Sequence, residues 1–467
     1  VLRFLLEDAG RHTRRDWLRL GGVGLLAGLT RQARAGLSPG FGRARSVILV
    51  YTSGGQSQID TWDPKPNAPV EIRGEFRSIS TAVPGIRVCE HLPRLARLAD
   101  RYTILRSLTH DDVDHGSATY LALTGQFHPR KSSNPLPRPG DAPTYGAVLQ
   151  RVRPPRHFPS AAVHVNGPVV VPEQPSPGQF AGLLGRVCEP LLVGDVTREA
   201  VGVGGIEPRS ELPPVRVEAR RSLLESIEGY RRTLAEDKAL LEMDASYRLA
   251  YDVLAAPQCR RAFDLDLEPP AVRDWYGRHR PGQACLLARR LVEAGVPLIT
   301  VMWSHNIRGQ DKAPDQTEEY GWDTHNDIFE SLREHLLPRF DQSFAALLAD
   351  LDQRGLLQQT LVVCLGEFGR APQVALEPKF AGSTPGRKHW AGVYSAVLAG
   401  AGVSRGAVVG ASDRAGAAPQ LDPVGPWDIG ATMFAALGVD PAGHYTDAEN
   451  RPYPIATGRP IAGLYRG

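Results

Sequence analysis

The chain has 467 residues, 42% hydrophobic and 22% charged, an ordinary globular composition that suffices for one large domain or two ordinary ones. Its 54 Lys and Arg against 51 Asp and Glu suggest a mildly basic protein, yet residues 1–35 alone hold seven arginines and three acids. Residues 36–467 therefore carry 47 basic and 48 acidic side chains, which gives no argument for a nucleic-acid partner.

In chain order, the first feature is Thr13-Arg14-Arg15-Asp16-Trp17-Leu18-Arg19, followed by an apolar run over 20–29 (LGGVGLLAGL) and Ala33-Arg34-Ala35. A basic region, an apolar run and a small-x-small site in that order predict a signal peptide with a twin-arginine address. Residues 1–35 are expected to be removed after Ala35, once the twin-arginine translocase has exported the folded chain to the periplasm or beyond. The apolar run falls short of the roughly 20 residues of a membrane span, and no later segment approaches one.

Ser46–Tyr51 (SVILVY) is a continuous β-branched run ending in Thr-Ser-Gly-Gly, the pattern of a buried central strand. Residues 297–303 (PLITVMW), Thr360–Leu365 (TLVVCL) and 393–398 (VYSAVL) repeat it, and helical periodicity over 283–294 and 337–351 precedes the second and third. Helix-then-strand repetition predicts an α/β fold with a mostly parallel sheet. The Pro-rich tracts 129–160 and 166–180 are expected as long loops. Residues 215–254 have apolar residues at helical spacing, so 205–270 is expected to form a helical insertion within a domain covering 36–467. The five cysteines include no CxxC pair, so a cysteine zinc site has no support in the spacing. Their odd number leaves at least one thiol unpaired in a monomer, and Cys364 lies inside a strand pattern.

Ligands in an open α/β sheet collect beyond the carboxyl ends of the strands. Polar residues cluster there: Asp60 and Asp63 after the first strand, Asp323 and His325 after the second, Glu367 and Arg370 after the third. Arg387, Lys388 and His389 come just before the fourth, and His110, Asp114, His115 and Ser117 form a separate group. Carboxylates and imidazoles are costly to bury unpaired. One or two divalent metals would resolve that cost, and the donor types suit such ions. Taken singly, each residue could equally be a cap, a turn or a solvated charge.

Several segments resemble a known family. Asp114-His115-Gly116-Ser117-Ala118-Thr119-Tyr120-Leu121-Ala122-Leu123-Thr124-Gly125 is similar to the nucleophile helix of the alkaline phosphatase and sulfatase superfamily. GGQSQIDTWDPKP (54–66), EIRGEF (71–76), GWDTHND (321–327), GEFGRAP (366–372) and KHW (388–390) resemble an exported, sulfatase-like family, domain of unknown function 1501. The resemblance implies an alkaline-phosphatase-like three-layer sandwich with a mostly parallel central sheet and a helical insertion. It also implies one or two divalent metals (zinc, calcium, magnesium or manganese) held among Asp60, Asp63, His110, Asp323, His325, Glu367 and His389. Counting back from Thr124-Gly125 places the nucleophile slot on His115, beside Asp114 and two residues before Ser117. Ser53-Gly54-Gly55 stands where the superfamily has an aspartate, and Phe368 where it has a histidine.

Two function classes follow. The first is a metal-dependent hydrolase of sulfate or phosphate esters, acting on a small molecule or polysaccharide. His115 would attack, or would bind the metal while Ser117 or a metal-bound hydroxide attacks, and Arg370, Arg387 and Lys388 would grip the anion. The second is a non-catalytic exported protein that keeps the fold and binds sulfated polysaccharide or a surface partner.

Overall fold

The protein was analysed as a computed structural model describing residues 39–155, 158–171, 173–197, 257–309 and 320–466. The expected signal peptide (1–35) and most of the expected helical insertion (205–256) lie outside the described residues.

The core is an eight-stranded sheet. In chain order its strands are β1 (Ser46–Tyr51), β2 (Tyr102–Leu108), β3 (Ala162–Val165), β4 (Leu191–Val193), β5 (Leu298–Met302), β6 (Thr360–Leu365), β7 (Tyr394–Ala399) and β8 (Ala407–Val409). Their spatial order is β8-β2-β7-β6-β1-β5-β3-β4. β1 is central and parallel to both β5 and β6. β3 and β4 continue the parallel run beyond β5. Only β7 runs against its neighbours β6 and β2. The expected α/β architecture with a mostly parallel sheet is therefore present. β2 was not legible as a strand, because its YTILRSL mixes polar and apolar residues without a buried-strand run.

Helices cover both faces. α1 (His115–Thr124), α2 (Tyr145–Val152) and α5 (Pro426–Ala436) lie on one side; α3 (Arg280–Glu293) and α4 (Leu337–Gln353) lie on the other. Alternation along β1 decides which residue meets which layer. Val47, Leu49 and Tyr51 join the core with Leu123, Leu149 and Met433. Ile48 and Val50 join Leu286, Phe340 and Leu347. Each such aliphatic side chain contributes about 1.5–3 kcal/mol when fully buried. α2 corrects the expectation of a loop over 129–160: Tyr145, Val148 and Leu149 form one buried face between prolines that delimit it. Of the expected insertion, the described tail includes a helix, Pro257–Phe263, whose Cys259 and Phe263 are buried in the main core. All five cysteines are buried free thiols. No helix among the described residues is long and apolar enough to cross a membrane.

One core residue breaks the apolar pattern. His164 on β3 is 1% exposed, and neither ring nitrogen has a hydrogen-bond partner. Burial pushes its pKa down to about 4, against about 6.5 when unfolded. Between these values the unfolded chain binds the extra proton, so stability is present above about pH 6.5 and falls as pH drops towards 4, by about 3 kcal/mol. Denaturant titrations at pH 4.5 and 7.5 are expected to show this loss in the parent and a clearly smaller one in His164→Leu. Equal pH slopes in both proteins would show that His164 does not carry it.

Candidate metal centre

Because β1, β2, β5 and β6 are mutually parallel and β7 is antiparallel, the residues after the first four and before the fifth meet at one edge. Asp323 is the hub. Its Oδ1 lies 3.2 Å from His115 Nε2, 3.1 Å from His325 Nε2 and 3.2 Å from His389 Nε2. His325 Nε2 and His389 Nε2 are 2.8 Å apart. Donor atoms of His115, Asp323 and His389 all lie within 4.8 Å of one another.

The other ring nitrogen of each histidine determines what faces this centre. His115 Nδ1 donates to Glu367 Oε1 at 2.5 Å, His325 Nδ1 to Glu377 Oε2 at 3.0 Å, and His389 Nδ1 to the Val113 carbonyl at 2.7 Å. With Nδ1 protonated, each neutral imidazole turns an Nε2 lone pair towards the Asp323 carboxylate. His115 Nε2 is buried and makes no hydrogen bond, although Asp323 is near. Lone pairs converging on a carboxylate repel unless a cation lies among them, and outer oxygens holding Nδ1–H are the usual support of metal-binding histidines. Three imidazoles and one carboxylate fit a borderline ion such as zinc or manganese better than calcium or magnesium, which favour all-oxygen sites.

Proton affinities follow the same conflict. Burial opposes charge on His115, but Asp323 and then Glu367 outweigh it and raise its pKa to about 9. Burial and the neighbouring His115 charge lower His389 to about 3. Burial would raise Asp323, but His115 and Arg370 hold it well below the usual carboxylate range. The two carboxylates thus favour the charged form of His115 when no metal is bound.

The scaffold explains why a glycine turn follows β1 and why a histidine opens α1. His115 opens α1, with Asp114 at the N-cap in extended backbone and Gly125 closing the helix in the left-handed region. Gly54, at φ +112°, sits where a Cβ would come 2.4 Å from the Asp323 amide. Its own amide donates to Glu367 Oε1 at 2.8 Å. Ser53-Gly54-Gly55 therefore supplies no carboxylate. It brings the backbone close enough to seat Asp323 and Glu367.

Several expected ligands have other partners. Glu367 is fully buried; besides Gly54 and His115 it accepts from Tyr51 Oη at 2.9 Å, so it orients His115 from behind. Asp60 receives Arg387 at 2.7 and 3.1 Å and Ser57 at 2.5 Å. Asp63 pairs with Lys65 at 2.9 Å and with Ser412. His110 Nε2 donates to the Glu367 carbonyl at 2.7 Å while Nδ1 accepts from the Asp112 amide, so neither nitrogen is free. None of Glu367, Asp60, Asp63 and His110 joins the donor atoms.

Of the expected anion-gripping residues, Arg387 is fully buried and spends its donors on Asp60 and on the Ile72, Ala371 and Pro372 carbonyls. Arg370 is likewise buried, on the Gly54, Gly55 and Arg387 carbonyls and on Asp323 at 2.6 Å. Both act as internal struts. Lys388 remains exposed, at the rim of an open 580 Å³ cleft lined also by Val113, His325, Glu377, His389 and Trp390. Ser117 is buried; its hydroxyl donates to Asp112 Oδ1 at 2.7 Å and accepts the Ser133 amide. Ser117→Ala is expected to cost about 1 kcal/mol of stability and to leave turnover of metal-loaded protein unchanged. A drop in kcat of about tenfold or more, with the fold intact, would return the serine to the nucleophile role.

Sequence reasoning missed Glu377, Asp112 and Tyr51. Tyr51 carried a signal, a lone phenol closing an aliphatic strand. Glu377 sits in the charged segment ALEPKF, where nothing marks it.

The fold and site together define an α/β protein with a three-histidine, one-aspartate cluster at the carboxyl edge of its sheet. The chain belongs to the family described as protein of unknown function (DUF1501), whose model matches residues 44–465. No curated protein sequence is significantly similar to it. Among solved structures it is similar to the sulfatase PsFucS1 from Pseudoalteromonas sp., at 13% identity and TM-score 0.38, covering 88% of this chain and 70% of that one. It is also similar to the phosphonate monoester hydrolase SpPMH from Silicibacter pomeroyi, at 14% identity and TM-score 0.39, covering 90% and 76%.

Proposed function

We propose that this protein is an exported, metal-dependent hydrolase of sulfate or phosphate esters. The observation that supports this is the convergence of His115, His325 and His389 Nε2 on Asp323 Oδ1, with each Nδ1 tied to an oxygen behind it. A divalent metal bound there supplies a Lewis acid for an ester oxygen. The chain's own residues do the rest. Lys388 offers a positive charge at the cleft mouth, and Arg370 keeps Asp323 ionised. Glu367 keeps His115 in one orientation. Export rests on Arg14-Arg15 and the apolar run after them; the amino-terminal residue of secreted protein, expected just after Ala35, checks it.

The test is metal analysis of protein purified from its exporting host, then assay of apo and reloaded protein on 4-nitrophenyl sulfate and 4-nitrophenyl phosphate. Stoichiometric zinc or manganese, with turnover lost on chelation and restored by metal, is expected. Metal-loaded protein that cleaves neither class, including sulfated oligosaccharides, would overturn the hydrolase reading and favour a binding protein.

A further inference from the structure

Among the described residues, Glu377 is the one acid that touches both the metal centre and the cleft. Its Oε2 receives His325 Nδ1 at 3.0 Å, and Lys388 Nζ lies 3.1 Å from its Oε1, which is buried and has no hydrogen bond. Its backbone is clamped: its amide donates to Asn326 Oδ1 at 2.8 Å, and Asn326 Nδ2 donates back to its carbonyl at 2.9 Å. Three residues on, the Phe380 ring stacks on His325 with centroids 3.6 Å apart and planes 4° from parallel. The imidazole is thus held from behind and from one face by a single segment. That precision is unneeded for a surface histidine.

We propose that Glu377 is a positioning residue for His325 and transmits the charge of Lys388 to the metal centre. The inference rests on the metal-site reading above. A carboxylate on Nδ1–H makes an imidazole a stronger ligand. Lys388 draws on the same carboxylate, so it weakens that support. An anion that engages Lys388 in the cleft would release the carboxylate to His325 and tighten the metal, so anion and metal would favour each other.

The readout is zinc affinity, measured by chelator competition with no substrate present, alongside the melting temperature of each apo protein. Glu377→Gln is expected to weaken zinc by about 10–100-fold. Lys388→Met is expected to act in the opposite direction, tightening zinc by about threefold. In the double variant Glu377→Gln/Lys388→Met the lysine effect is expected to vanish, since it has no carboxylate to act through. A lysine effect of equal size in both backgrounds would show direct action on the ion and overturn the proposal, as would Glu377→Gln binding zinc like the parent. A parent that binds no divalent metal would instead remove the metal-site reading itself.

Discussion

His115→Ala is expected to produce the largest loss of function. His115 is 3% exposed and lies between the buried carboxylate of Glu367 and the partly buried one of Asp323. Those carboxylates raise its pKa and favour its charged form when no metal is bound. Truncation leaves Glu367 with only Tyr51 and the Gly54 amide and removes one inward lone pair. Breaking a buried charge pair from one side costs about 3–5 kcal/mol, and zinc affinity should fall by more than about 100-fold, beyond what loss of a supporting hydrogen bond alone costs. His389→Ala is the informative companion. That ring is partly exposed and its Nδ1 bond ends on a backbone carbonyl, so it should lose metal similarly at a stability cost of only about 1 kcal/mol. Chelator competition and denaturant titration separate the two effects. A stable, metal-loaded His115→Ala protein with undiminished hydrolysis would sink both the ligand and the nucleophile assignments.

The second large effect concerns stability. Arg387 and Asp60 are both fully buried and paired. Arg387→Met is expected to destabilise the fold by about 3–5 kcal/mol, because Asp60 would keep a buried charge with only the Ser57 hydroxyl and its surroundings to answer it. Asp60→Asn/Arg387→Met should recover part of that loss, since neither charge then stands alone. Folded Arg387→Met, assayed at low temperature, should bind sulfate as the parent does. Weakened sulfate binding with unchanged stability would mean that the guanidinium grips the anion, as its position beside Lys388 in the sequence suggests.

Asp60 and Arg387 show where linear reading ends. From residue types near strand ends, Asp60 was a candidate ligand and Arg387 a candidate anion grip, yet they satisfy each other across 327 positions. Glu367 was expected among the ligands, and its strand-end placement was legible. Its role behind His115 depends on the Gly54 amide and the Tyr51 hydroxyl, which approach only when β1 and β6 pair. Ser117 looked available two residues into α1, but Asp112, just before the helix, and Ser133, on the loop after it, take its hydroxyl.

What the amino-acid order by itself determined was the central sheet and the edge where the polar residues gather. β1, β5 and β6 are apolar β-branched runs that only burial on both faces can accommodate, and parallel pairing then sends their polar followers to one side. The placement of Asp323, His325 and His389 at that edge was legible on those grounds, and that of His115 at a helix start through its segment's resemblance. Only the tertiary structure decided which polar groups point inward. A carboxylate or imidazole is committed by whatever donor or acceptor reaches it first in three dimensions, and those partners lie tens to hundreds of residues away. Glu377 makes the point most sharply: its neighbours in sequence carry no motif, and it acquires its place because Asn326 and His325 meet it across about fifty residues.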